Sequence, residues 1–251
     1  MPYVSSQGIR IYYQPEEQNA PLVLQHGWSD SLKSWYEFGY VNALQSDSQL
    51  VLVDARGHGH SEKPHDPEAY AIPCFTADVV AVLGALALAQ VHFFGYSMGG
   101  WIGFGMAKHV AARIHTLILG GMHPYPPPPA TADPWIPMLQ QGPEGLSALW
   151  NTSLSESLRA RLVKNDAEAL VALRHKRAEH PSHEDVLPTM TMPCLLFAGA
   201  ADPNDARVKT CVTHMPNATL MSVPGLGHAE TFFQSHLVLP RIQQFLSMAH
   251  E

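Results

Sequence analysis

The stretch FFGYSMGGW, residues 93–101, sets one serine, Ser97, among Gly95, Gly99 and Gly100. Before it runs an apolar β-type segment, Val91–Phe94. After it, Trp101, Ile102, Phe104, Gly105 and Met106 follow helical spacing. A strand that passes into a helix through so tight a corner forces its middle residue towards positive φ. A side chain two places before or after would strike the turn, and Gly95 and Gly99 hold those places. The strain lifts the serine hydroxyl clear of the backbone at the sheet edge. The helix start behind it favours negative charge there. G-x-S-x-G alone is short enough to arise by chance, so the strand and helix around it carry the reading.

Outward from this corner, short apolar runs alternate with helical patterns. Ile9–Tyr13, Leu22–Gln25, Gln49–Val53, Val91–Phe94 and Ile114–Leu119 read as strands. A helix is expected over Leu32–Leu44, another capped by Thr76 and running to Ala89, and a third from the corner to about Ala112. Alternation of this kind predicts a mostly parallel sheet with helices on both faces, and continuous apolar strands suit a sheet covered on both sides. The rhythm breaks at HPYPPPPATADP, residues 123–134, where Pro126–Pro129 predict a stiff extended linker. From Pro134 to about His180 the pattern is helical, with Trp135, Met138, Leu139, Leu146, Leu149, Trp150, Leu154, Leu158 and Leu162 at apolar positions. Strands return at Cys194–Ala198 and Thr219–Val223, and a last helix is expected from about Thr231 to Met248. We therefore expect an α/β core from residues 1–123 and 189–251 and a helical insertion over 124–188.

Composition narrows the partners. The 251 residues are 46% hydrophobic and 15% charged, enough for a substantial core. A formal net charge of −7 argues against a nucleic-acid partner. Val79–Ala89 is apolar, but Gln90, His92 and the glycine corner interrupt it before a bilayer-spanning length of about 20 residues, so no membrane association is expected. Cys74, Cys194 and Cys211 form no C-x-x-C pair, and the start MPYVSSQGIR lacks a basic-then-apolar leader. Reduced thiols and a cytoplasmic location are expected. Fifteen histidines lack the i, i+4 pairing of a helical zinc site, so no metal is expected.

A serine hydroxyl is a poor nucleophile until a base takes its proton and a carboxylate orients that base. In an open α/β sheet these groups belong at the C-terminal ends of later strands. Asp202 follows the strand ending at Ala198, and His228 lies in PGLGHAE, residues 224–230, after the strand ending at Val223. The order Ser97, Asp202, His228 is the one expected for a nucleophile elbow. Asp205, three residues on, is the rival acid. His214 and His236 fall in helical stretches and make poorer bases than a loop histidine. Oxyanion donors are expected from the backbone N–H of Met98 and, in QHGWSDS (residues 25–31), that of Trp28. Gly27 lets this backbone come close, and His26 pins the loop.

Together HGW (26–28), VDARGHGHSEKP (53–64), GYSMGG (95–100), LLFAGAADP (195–203) and GLGHAE (225–230) resemble the α/β-hydrolase superfamily over nearly the whole chain outside Pro124–Pro188. The resemblance implies an eight-stranded, mostly parallel sheet (the α/β-hydrolase fold) with the insertion as a helical cap. It also implies that Asp54–Ser61 is a structural loop, so Asp54, His58 and His60 are not catalytic. A serine in the elbow argues against haloalkane dehalogenase and epoxide hydrolase chemistry, which uses a carboxylate nucleophile. The expected activity is hydrolysis of small to medium, largely apolar carboxylic esters through an acyl-enzyme, without a cofactor. Lactone or carbon–carbon bond hydrolysis, cofactor-free perhydrolysis and slow-turnover signal reception remain alternatives. Candidate pocket walls are Trp28, Met122, His123, Tyr125, Trp135, Met138 and Trp150. No arginine is placed by sequence to clamp a carboxylate, so a charged substrate is disfavoured. The cap is expected to hinge near Pro126 and Pro188.

Overall fold

Apolar side chains that alternate across a strand can bury both sheet faces only if each face receives its own layer of helices. The computed structural model describes residues 2–16, 20–142, 145 and 156–249 and shows this arrangement. Its strands are β1 (Tyr3–Ser6), β2 (Ile9–Pro15), β3 (Ala20–Gln25), β4 (Ser48–Val53), β5 (Val91–Tyr96), β6 (Ile114–Gly120), β7 (Cys194–Gly199) and β8 (Ala218–Val223). They form one sheet in the order β1-β2-β4-β3-β5-β6-β7-β8. The pairings β1–β2 and β2–β4 are antiparallel; all later ones are parallel.

Val23, Val51, Val53, Phe93, Leu117, Leu119 and Leu196 bury one face against α3 (Ile72–Ala85) and α4 (Met98–Val110). Their neighbours Leu22, Leu24, Leu50, Leu52, Phe94, Ile118, Leu195 and Phe197 bury the other. There Trp35 packs edge-on against Tyr40, Phe94 and Phe232 at centroid distances of 5.0, 4.9 and 5.1 Å. Full burial of such rings contributes about 1.5–3 kcal/mol each.

Three expected helices differ. The one over 32–44 is broken into α1 (Lys33–Glu37) and α2 (Tyr40–Leu44) by Gly39, whose φ of 79° no right-handed helix accommodates. The third helix starts at Ile72, not after Thr76. Pro73 fits its first turn, where the N–H would be unpaired anyway, and Thr76 lies inside and donates to the Pro73 carbonyl at 2.9 Å. The last helix is split into α9 (His228–Phe233), a 3-10 turn over Ser235–Leu237, and α10 (Leu239–Met248), with Pro240 in the first turn of α10. Hence His228 opens a helix and is not a loop residue.

Between β6 and β7 the described chain holds α5 (Trp135–Leu139), α6 (Glu156–Leu162) and α7 (Ala167–Ala178), a helical cap region. Leu146, Leu149, Trp150 and Leu154 lie outside the described residues. Polar bonds tie the cap to the core. Arg161 reaches Glu37 at 2.8 Å and Asp30 at 3.2 Å, and the Asn165 amide donates to the Ser29 carbonyl at 2.6 Å. Among the described residues no helix is long and apolar enough to cross a membrane. The chain after β7 continues through α8 (Asp205–Thr213) to β8.

Candidate active site

The corner between β5 and α4 is as tight as its glycines imply. Ser97 has φ 53° and ψ −114°, a conformation that costs about 1–3 kcal/mol in a residue with a side chain. A Cβ at Gly95 would lie 2.1 Å from the Gly99 carbonyl oxygen, and one at Gly99 would lie 2.0 Å from that of Gln25. Neither position admits alanine without moving backbone. The Ser97 N–H donates to the Gly120 carbonyl at 2.8 Å, which ties the corner to β6.

Ser97, His228 and Asp202 meet at the C-terminal edge of the sheet. The Ser97 Oγ lies 2.9 Å from His228 Nε2, and His228 Nδ1 lies 2.7 Å from Asp202 Oδ2. An ionised carboxylate only accepts, so Nδ1 carries the proton and Nε2 is left to accept from the serine hydroxyl. The Asp202 side chain is fully buried, while that of His228 is 32% exposed. The Asn204 N–H donates to Asp202 Oδ1 at 2.8 Å and fixes the carboxylate plane. Asp205 is engaged elsewhere, with Lys209 at 2.5 Å and Ser222 at 3.1 Å. Two contacts that sequence reasoning missed hold the imidazole. The Tyr96 hydroxyl donates to the His228 carbonyl at 2.6 Å. Gly121, with φ 62°, runs so close beneath the ring that a Cβ there would lie 2.9 Å from His228 Cε1.

Facing the serine is the loop after β3. A Cβ at Gly27 would lie 3.4 Å from Ser97 Cβ, so this backbone passes at van der Waals range. The Ala55 N–H donates to His26 Nε2 at 3.1 Å, which leaves Nδ1 as the donor to the Gly27 carbonyl at 2.8 Å. His58 repeats the device: Nε2 accepts from the Ser29 N–H and Nδ1 donates to the Arg56 carbonyl. Burial pushes the His58 pKa down to about 3, so the ring stays neutral. Asp54 accepts from the N–H groups of Leu32 and His60, both at 2.8 Å. These residues shape the loop, as the family resemblance implied. Among the described residues the N–H groups of Trp28 and Met98 have no hydrogen-bond partner.

A narrow cleft of about 50 Å³, partly open to solvent, lies over Ser97 and His228. Trp28, Leu158, Leu162, Ala229, Phe232 and Phe233 line it, with Asp30 as the charged wall. Of the expected walls, Trp28 belongs here. Trp135 stands one ring behind it, with centroids 6.0 Å apart, in a small cap cluster that also holds Met138. Met122 turns beneath α4, where a Cβ on Gly100 would touch it at 2.9 Å. Tyr125 packs against the main core and His123 lines a different cavity. The positive φ at Gly121 turns the chain away from the serine, so Met122, His123 and Tyr125 miss this cleft. Trp150 lies outside the described residues. The i, i+4 pair Leu158 and Leu162, and the phenylalanines one helical turn after His228, were the sequence signals for the actual walls.

Among the described residues there is no cluster of three or more His, Cys, Asp or Glu able to hold a metal ion. Comparison with known proteins adds the family. A protein of Bacillus subtilis, provisionally named as a 2-succinyl-6-hydroxy-2,4-cyclohexadiene-1-carboxylate synthase, is 25% identical, with 96% of both chains covered. A 3-oxoadipate enol-lactonase 2 of Acinetobacter baylyi is 27% identical over 72% of this chain and 71% of its own length. The crystal structure of the enol-lactonase from Burkholderia xenovorans LB400 superposes with a TM-score of 0.86 at 24% identity, covering 98% of this chain and 100% of that one. The family model for the alpha/beta hydrolase fold matches residues 20–207, three quarters of the chain, and places this protein in the α/β-hydrolase family.

Proposed function

We propose that the protein is a serine hydrolase of carboxylic esters and lactones that works through an acyl-enzyme. One observation carries this reading: the unbroken hydrogen-bond path Ser97–His228–Asp202, at 2.9 and 2.7 Å, under an apolar cleft. His228 Nε2 takes the hydroxyl proton as Ser97 Oγ attacks the acyl carbon. Asp202 holds the tautomer and stabilises the imidazolium. The free N–H groups of Trp28 and Met98 receive the developing oxyanion. The imidazolium returns its proton to the leaving alkoxide. A water then gives a proton to His228, attacks the ester carbonyl, and frees the acid and Ser97.

The walls Leu158, Leu162, Phe232 and Phe233 favour a small to medium apolar group beside the acyl carbon. The lactonase names of two of the relatives agree with this chemistry. The free thiols of Cys74, Cys194 and Cys211 support a reducing, cytoplasmic setting. The segment 124–188 acts in this reading as a cap that opens for substrate; hydrogen exchange as slow in the cap as in the sheet would count against that opening.

The test is a chain-length series of p-nitrophenyl esters and lactones with the wild type and Ser97→Ala. Turnover is expected to fall about 10⁴-fold or more in the variant. A fluorophosphonate should add its mass to the wild type alone. Retained turnover and labelling in Ser97→Ala would sink the assignment.

A further inference from the structure

A second cavity of about 110 Å³, again partly open to solvent, lies between α7 and the segment after β6. His123, Asp133, Arg174, Arg177, Asn204 and Arg207 border it. Three guanidinium groups against one carboxylate leave a surplus of two positive charges, in a chain whose formal net charge is −7. Asp133 is committed to Arg174, with Oδ2 2.7 Å from Nε and 2.5 Å from Nη2. Among the described residues Arg177 and Arg207 make no ion pair. Arg177 instead rests against the Met122 sulfur at 3.6 Å and the Trp101 ring at 5.9 Å. Burial, with Arg174 nearby, lowers its pKa to about 10, yet it stays charged at neutral pH. A sheltered charge without a counter-ion is costly, and a bound anion removes that cost.

His123 borders the same space and is 7% exposed. Burial first, then Arg207 and Arg177, push its pKa down to about 4, so the ring is neutral and adds no charge to theirs. Guanidinium forks around a vacant space suit a planar carboxylate. One residue on its border also touches Asp202, behind the imidazole. Asn204, on its border, donates to Asp202 and to the Gly121 carbonyl. Trp28 lines the apolar cleft and carries the Arg174 guanidinium 5.1 Å from its ring. The sequence offered no such clamp, because Arg174 and Arg177 are brought to Arg207 only by the docking of α7 on the core.

We propose that this cavity is a carboxylate-binding subsite, which takes the free acid arm of a half-ester or lactone acid whose acyl carbon lies at Ser97. The acyl part of this proposal rests on the serine-hydrolase reading; the anion site does not. The test therefore has two arms. Ser97→Ala protein is titrated calorimetrically with succinate, glutarate and inorganic phosphate, alone and with Arg177→Met or Arg207→Gln added. Arg207 is exposed on α8, so its variant keeps the test open if Arg177→Met does not fold. In the second arm, kcat/KM is compared for the monoethyl and diethyl esters of one dicarboxylic acid.

Dicarboxylate binding is expected in Ser97→Ala, weakened about ten- to a hundredfold by Arg177→Met and in the same direction by Arg207→Gln. The wild type should prefer the half-ester, and that preference should shrink by a similar factor in each variant. Dicarboxylate binding that is absent, or unchanged in both variants, overturns the subsite. So does tighter binding of phosphate that leaves ester hydrolysis uninhibited, since the anion would then be a separate ligand and not the substrate's arm. Failure of Ser97 as nucleophile would show as turnover in Ser97→Ala, and the titration would still report on the anion site.

Discussion

Tyr96, the residue before Ser97, donates its hydroxyl to the backbone carbonyl of His228 at 2.6 Å. The β5–α4 corner and His228 are thus linked by a bond that bypasses the contact between Ser97 Oγ and His228 Nε2. Burial holds the phenol well above its ordinary pKa of 10.0, so it remains a donor at all working pH values. Tyr96→Phe keeps the ring and deletes the bond. It should lower kcat about two- to tenfold with little change in KM. Steady-state kinetics on one p-nitrophenyl ester would show it; an effect confined to KM would remove the positioning role.

Asp202→Asn leaves the shape of the site but lets Nδ1 lose its acceptor, and the imidazole can then present a proton to Ser97. Turnover should fall about 10⁴-fold. The loss should be accompanied by an unchanged melting temperature within a few degrees, because the side chain is replaced by one of equal size. Activity within tenfold of wild type would point to Asp205 as the acid.

Gly99→Ala places a methyl 2.0 Å from the Gln25 carbonyl oxygen, a backbone atom that cannot step aside without moving β3. We expect a loss of about 1–3 kcal/mol in unfolding free energy, read from urea midpoints, together with loss of activity. A variant as stable and active as the wild type would mean that the corner is more pliant than its geometry indicates.

Arg56 and Asp78 form a buried two-point ion pair, Nε–Oδ2 at 2.7 Å and Nη2–Oδ1 at 2.6 Å, and Arg56 also reaches the Ala69 carbonyl at 2.7 Å. Arg56→Met strands the carboxylate and should cost about 3–5 kcal/mol. Adding Asp78→Leu should recover part of it. A double variant no better than the single one would contradict the pairing.

His58 and His183 are buried and held neutral, with pKa values lowered from 6.5 to about 3 and about 4, in each case mainly by burial. The unfolded chain takes up these protons where the folded chain refuses them. Stability from this source is therefore complete above pH 6.5 and lost as pH falls from 6.5 towards 4. The expected slope is about 1.4 kcal/mol per pH unit for each ring. Urea midpoints that do not fall between pH 7 and pH 5 would exclude it, and His58→Asn should flatten the decline.

Much of the candidate site's geometry was legible because backbone strain writes itself into residue type. Gly95, Ser97 and Gly99 announce the corner, and Asp202 and His228 each follow a short strand, β7 and β8. What was not legible depends on docking. Gly121 turns Met122, His123 and Tyr125 from the cleft, and no local pattern says which way. Leu158, Leu162, Phe232 and Phe233 had readable spacing, but only the packing of α6 and α9 makes them walls of one cavity. Thr76 failed as a cap because Pro73 begins the helix a turn earlier. Gly39 was a visible break that the apolar spacing on either side concealed.

The excursion over the site leaves the sheet at Gly120 and returns at Cys194, on strands that are ladder neighbours, with Gly120 opposite Phe197. A foreign segment of another length can be grafted between Gly121 and Cys194 without disturbing the register of any strand, since closing a longer loop costs only the logarithm of its length. The roof is an interchangeable part, and selectivity can be re-engineered there while the serine, imidazole and carboxylate beneath it keep their places.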